Sequence, residues 1–162
     1  MADIIEMILI DHRRIRCLTA VLEMAHGHWL GPHRNWALTS VWDQLVDLLE
    51  MHTSAEEEIC YLPMFGRSES AGGRLADAVA DHADIREAAD EARLQPAGSA
   101  LWWLAVDSAL SACADHLSRE ESGVLAAFAD RAGPALRQAL GHQWSAFRTA
   151  WMLRPDGMDA AS

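Results

Sequence analysis

Residues 11–16 read DHRRIR and residues 81–86 read DHADIR. The frame D-H-x-x-I-R therefore occurs twice, seventy residues apart, in a chain of 162. A second frame follows each copy: residues 52–57 read HTSAEE and residues 116–121 read HLSREE, both H-x-x-x-E-E. Each half of the chain thus carries one copy of each frame, in the same order, as an internal repeat.

The residues around these frames set the fold class. Ile4, Ile5, Ile8 and Leu9 precede His12, and Ile15, Leu18 and Leu22 follow it; Leu38, Val41, Leu45, Leu48 and Leu49 precede His52. Leu75, Ala78, Val79, Ile85 and Ala89 surround His82, while Trp102, Ala105, Ala109, Ala112, Val124 and Ala127 surround His116 and Glu120. Apolar residues spaced by three and four mark amphipathic helices. The spacing predicts helices over about 2–25, 35–62, 74–94 and 99–131, and a shorter fifth over about 134–153. The breaks fall at His26 to Pro32, at Pro63 with the loop 66–73, at Gln95 to Gly98, and at Gly133-Pro134. Four long helices with short connections predict an all-α, up-down-up-down four-helix bundle spanning residues 1–154. Trp144, Phe147 and Trp151 on the fifth helix would cap an outer face, and 155–162 reads as a loose, flexible tail. Of Trp102 and Trp103, one ring is expected inward and the other under the fifth helix.

Composition narrows the function. The formal charge is -11, from 13 Lys+Arg and 24 Asp+Glu, a balance that repels nucleic acid and anionic membranes. No apolar run approaches the ~20 residues of a membrane span. The first residues carry acids where a secretory leader would be basic, so the expected location is cytoplasmic. Cys17, Cys60 and Cys113 are widely separated and form no CxxC pair, which argues against a disulfide framework or a zinc ribbon.

Residues four apart on a helix share a face, so His52 projects with Glu56 and His116 with Glu120. All six of His12, His52, Glu56, His82, His116 and Glu120 fall on the apolar stripes. One core histidine is usually just hydrogen-bonded, and one H-x-x-x-E pair usually lies on a surface. Six such residues, inward-facing and in duplicated order, call for another account. A single unpaired buried ion costs several kcal/mol, and a metal removes that cost by turning each lone pair into a ligand. Six ligands exceed one tetrahedral zinc but suit two octahedral ions bridged by two carboxylates.

The pattern resembles the hemerythrin-like, or HHE cation-binding, proteins, over about residues 8–128. It rests on Asp11-His12, on His52 with Glu56, Glu57, Glu58, Tyr61 and Pro63, on Asp81-His82, and on His116 with Glu120 and Glu121. The resemblance implies a non-haem di-iron centre. His12 and His52 would hold one iron and His82 and His116 the other, with Glu56, Glu120 and an oxo, hydroxo or water group bridging them. Two departures from the oxygen-carrying members stand out. Arg86 occupies the place of their second third-helix histidine, and the last carboxylate is Glu120, four residues after His116, where the carriers have an aspartate five residues on. The set is smaller and nearly symmetric, leaving each iron an open position. The resemblance then implies a peroxidase-type oxidoreductase, with peroxide-dependent oxidation of nitric oxide foremost and peroxide breakdown as a variant. Reversible O2 binding, or oxygen or iron sensing, is the alternative, and a manganese or mixed manganese-iron pair stays open. The expected partners are H2O2, NO and O2, with no nucleic acid or membrane; the chain is either a monomer or a homodimer.

Several residues carry lesser expectations. Tyr61, about 140° round an ideal helix from Glu56, is off the ligand stripe, and reads as a pocket residue, a phenolate ligand or packing. Of Asp11, Asp81 and Asp115, one could accept from a histidine on a neighbouring helix and at least two are expected in solvent. Glu57 and Glu121 read as rim residues. Arg16 and Arg86 are expected to pair with carboxylates at the bundle's edge, with Arg86 a possible gate. His26, His28 and His33 read as a solvated loop and His142 as unpartnered.

Overall fold

The computed structural model describes residues 3–26, 35–66 and 69–154. The expectations for His28, His33 and the tail 155–162 lie outside these residues. Helix α1 spans Ile4–Ala25 and α2 spans Asn35–Ala55, which runs on through a π-helical segment π1, Glu56–Cys60, into α3, Tyr61–Phe65. Helix α4 spans Glu69–Arg93. Helix α5, Ala100–Glu120, continues through a second π segment π2, Glu121–Leu125, into α6, Ala126–Arg131. Helix α7 covers Pro134–Met152. No strand occurs among the described residues.

Local chemistry explains the boundaries. Asp3 caps α1 by accepting from the Ile5 amide at 3.0 Å, and Ser99 caps α5 by accepting from the Trp102 amide at 3.1 Å; each satisfies a donor that the first turn leaves free. Pro134 opens α7, where a missing N–H costs nothing. Gly66, at φ 79°, ends α3 in the left-handed region open to glycine, and its amide donates to the Leu62 carbonyl at 3.1 Å. The expected stop at Pro63 is corrected: the helix continues to Phe65. The wide π turn directly before it gives the proline ring room that a regular α turn would deny.

Helix α1 packs on α2 and α4 on α5, while α7 lies against α1 and α2. The core forms two apolar clusters. One gathers Ile15, Leu22, Leu38, Leu45, Leu49, Ile85, Ala109 and Leu117. The other gathers Ile4, Ile8, Ala55, Ile59, Met64, Leu125, Phe128, Leu140 and Trp144. Along α1, His12 falls between Ile8 of one cluster and Ile15 of the other; along α2, His52 falls between Leu49 and Ala55. Glu120 likewise separates Leu117 from Leu125. The chain therefore builds a polar layer with an apolar plug on either side.

Two packing expectations change. Trp102 is buried as expected, but Trp103 stacks on His26, with ring centroids 4.7 Å apart and 9° between planes, and not under α7. Val79, on the apolar stripe of α4, is exposed.

Trp144 of α7 is fully buried and sets its ring edge-on against His52. Urea unfolding of the metal-free chain is expected to show a loss of about 3–5 kcal/mol for Trp144→Ala. The exposed Trp36 is the internal control, and Trp36→Ala should stay within about 0.5 kcal/mol of the parent.

Candidate metal centre

Helices α1, α2, α4 and α5 each deliver one imidazole to the polar layer, and α5 and π1 each deliver a carboxylate. His12, His52, Glu56 and His82 are 0% exposed, His116 3% and Glu120 4%, so water does not satisfy them. Their Nε2 and carboxylate atoms converge. His12 Nε2 lies 3.2 Å from His52 Nε2, and His82 Nε2 lies 3.2 Å from His116 Nε2. Glu120 Oε2 is 3.2 Å from His12 Nε2, Glu56 Oε1 3.1 Å from His52 Nε2, and Glu56 Oε2 3.3 Å from His82 Nε2. His116 Nε2 is 3.8 Å from Glu56 Oε2 and 3.9 Å from Glu120 Oε2.

The tautomers decide what these distances mean. His12 Nδ1 donates to Glu121 Oε1 at 2.8 Å, and His82 Nδ1 donates to Glu57 Oε1 at 2.8 Å. With the proton fixed on Nδ1, the neutral ring turns an Nε2 lone pair inward. Lone pairs then face lone pairs and carboxylate oxygens, and Glu56 Oε1 and both Glu120 oxygens have no hydrogen-bond donor. A cation between them resolves the arrangement. Two ligand atoms about 2.1 Å from one ion and at right angles lie about 3 Å apart, close to the Nε2 separations here. The residues form two groups, one of His12, His52, Glu56 and Glu120 and one of Glu56, His82 and His116, whose ligand atoms lie within 4.8 Å of one another. All six residues expected from the sequence are thus brought together, and Glu56 belongs to both groups.

Electrostatics gives the same picture. Burial opposes a charged His12, but the carboxylates of Glu120, Glu56 and Glu121 outweigh it and raise its pKa above the ordinary imidazole value. His116 behaves likewise: burial opposes the charge, and Glu56, Glu120 and Asp81 raise the pKa. Burial also opposes ionisation of Glu56, yet the neighbouring imidazoles of His52, His116 and His82 hold its pKa well below the usual carboxylate range. Burial and the charge of Glu56 raise the pKa of Glu120. A bound cation would compete with protons for these lone pairs.

The rim holds a feature that the sequence reading missed. Arg16 Nη1 donates to Glu121 Oε1 at 2.8 Å, the oxygen that accepts from His12. Arg86 Nη2 donates to Glu57 Oε1, the oxygen that accepts from His82. Both arginines thus pair with carboxylates at the edge, as expected, but these glutamates also hold histidines. The signal was present in the second Glu of each H-x-x-x-E-E and the closing Arg of each hexapeptide. Asp115 alone of the three aspartates is exposed, which corrects the expectation for at least two. Asp11 is fully buried and pairs with Arg148 of α7 at 2.9 Å. Asp81 pairs with Arg119 at 2.8 Å and lies 3.7 Å from His116 Nδ1. His26 is no simple loop residue, since it stacks on Trp103 and lies 3.2 Å from Asp107; His142 is exposed. The three cysteines are free thiols, and burial pushes that of Cys113 up to about 12.

Tyr61 corrects the ideal-helix argument. Its hydroxyl donates to His82 Nε2 at 2.7 Å and lies 3.4 Å from Glu56 Oε2. A π turn closes i to i+5, so π1 swings Tyr61 back onto the face of Glu56. Burial and the charges of Glu56 and Glu120 push its pKa upward, which keeps a neutral phenol in the metal-free chain. A cavity of about 520 Å³, lined by Tyr61, Phe65, His116, Arg119, Glu120 and Gly123 among others, reaches this side of the layer.

Among protein-family models, Hemerythrin, described as the Hemerythrin HHE cation binding domain, matches residues 3–128. No curated protein and no solved structure matches the chain. No helix among the described residues is long and apolar enough to cross a membrane.

Removing a carboxylate separates the metal-free from the metal-loaded balance. In chelator-treated protein, Glu120→Gln is expected to raise the unfolding temperature, because it removes an ionisation opposed by burial and by Glu56. The same variant should lose much of the stabilisation gained on adding ferrous ion, which scales with affinity. Thermal scans with and without ferrous ion check both signs.

Proposed function

The chain belongs to the hemerythrin HHE cation-binding family, and from that premise we propose that it holds two iron ions and acts on small oxidants. His12 and His52 would hold one iron, His82 and His116 the other, and Glu56 and Glu120 would bridge them. The leading reaction is peroxide-dependent oxidation of nitric oxide, in which one H2O2 takes two electrons from two NO to give two HNO2. Peroxide breakdown is the variant. Bound iron supplies the redox electrons and the open positions for these molecules; nitrogen and oxygen donors suit it. The proposal includes the up-down-up-down arrangement of the four long helices and a cytoplasmic setting.

One observation carries the reading: two groups of buried donors share Glu56, and Arg86 stands where an oxygen carrier has a further ligand. Arg86 points to Glu57 at the rim and contributes no donor to the layer. That leaves room at the second metal, which is also where the cavity ends.

The two metals are not equivalent. In the repeat, Tyr61 follows Glu56 by five residues and Leu125 follows Glu120 by five. One iron would therefore lie beside the Tyr61 phenol, while Leu125 packs in the apolar cluster. Tyr61 serves the reading as the proton donor or phenolate beside His82 and His116, at the cavity that it helps to line.

Anaerobic stopped-flow absorbance of the iron-loaded chain, with peroxide alone and then with nitric oxide, tests the function. Consumption of peroxide coupled to nitrite formation is the expected result. A stable, reversible O2 adduct without turnover would replace it with a carrier or sensor. Tyr61→Phe is expected to lower turnover on the order of 10²-fold with iron content unchanged. A Cβ at Gly123 would meet nothing within 4 Å, so Gly123→Leu should fold normally and narrow the cavity. Its rate with tert-butyl hydroperoxide should fall more than its rate with hydrogen peroxide.

A further inference from the structure

We infer that the repeated hexapeptide supplies a ligand together with the clamp that aims it: Arg16 through Glu121 positions His12, and Arg86 through Glu57 positions His82. The inference rests on the two-metal reading of the layer. In each clamp one carboxylate oxygen receives two donors, an arginine N–H and a histidine Nδ1–H; the His12, His82 and Arg16 contacts are each 2.8 Å. Arginine and histidine stand four apart on one helix, α1 or α4, and so share its face. The glutamate comes from the other hairpin: Glu121 of π2 meets α1, and Glu57 of π1 meets α4. The clamps cross, and neither is complete until the hairpins have docked.

The other two histidines lack such a device. His52 Nδ1 has no hydrogen-bond partner, and His116 Nδ1 lies 3.7 Å from the nearest Asp81 oxygen. Each metal position therefore has one clamped ligand and one held by packing. Side-chain exposures of 30% for Glu121 and 32% for Glu57 place both in partial contact with solvent, where an ion pair adds little to stability. The effect of the clamp falls instead on the ring. It fixes the proton on Nδ1, orients the imidazole and leaves the Nε2 lone pair pointing into the layer, the role outer carboxylates play for metal-bound histidines. Glu57 and Glu121 are positioning residues in this account, as are the two arginines.

The test is anaerobic transfer of ferrous iron from the loaded chain to a colour-forming chelator. The wild-type chain is first loaded and its iron counted. Glu121→Ala and Glu57→Ala are each expected to make release biphasic, with one iron lost about 10- to 100-fold faster and the other near the wild-type rate. The double variant should lose both quickly. Glu121→Gln, which keeps an acceptor oxygen for Nδ1–H, should recover much of the wild-type rate. The unfolding midpoint of the metal-free variants should stay close to that of the parent. Wild-type release rates in both alanine variants would overturn the clamp. So would equal acceleration of both irons with a parallel fall in metal-free stability, which would make the contacts hairpin glue alone. A wild-type chain that loads only one iron would overturn the two-metal reading itself, and the clamp with it.

Discussion

Four imidazoles and two carboxylates share one buried layer, with Nε2 atoms 3.2 Å apart in two pairs. An isolated buried ion costs several kcal/mol, and like groups this close repel. The carboxylates crowded into the layer raise the pKa of His12, His116 and Glu120. The apolar clusters on either side supply the burial that keeps the layer assembled, and the proposed clamps would aim two of its four imidazoles, His12 and His82. The helices are best understood as carriers for that layer.

The π segments follow from the same constraint. Glu56 must face the layer while Glu57, its immediate neighbour, reaches His82 from the rim. Consecutive residues on a regular α-helix point about 100° apart, and a widened turn beginning at Glu56 also brings Tyr61 under the same face. The second π segment begins at Glu121, which reaches His12 in the matching way. The repeat is therefore structural as well as textual, with the second π segment starting one residue later in the repeat than the first. It is broken at Tyr61 and Leu125, and by the cavity beside Tyr61.

The sequence made the helices and the six inward residues legible because both depend on periodicity, and the duplicated order gave each half a control in the other. What it hid was what periodicity does not encode. The ideal 3.6-residue turn put Tyr61 off the ligand face, and only the π turn restores it. Pro63 read as a stop because a regular helix would have no room for it. Glu57 and Glu121 read as rim residues, which they are, but their bonds to His12 and His82 cross between hairpins and depend on docking. Asp11 belongs to a trio of aspartates of which at least two were expected in solvent, and it is buried because Arg148, from a helix read mainly as a cap, pairs with it. Trp103 went to His26 for the same reason: contacts between distant segments leave no local pattern.

The most direct test of the central claim is Mössbauer spectroscopy of the chain loaded with ⁵⁷Fe and oxidised, alongside an iron count. Two irons per chain are expected in nitrogen and oxygen surroundings, coupled to a diamagnetic ground state. A single iron, or two that remain magnetically independent, would contradict that claim.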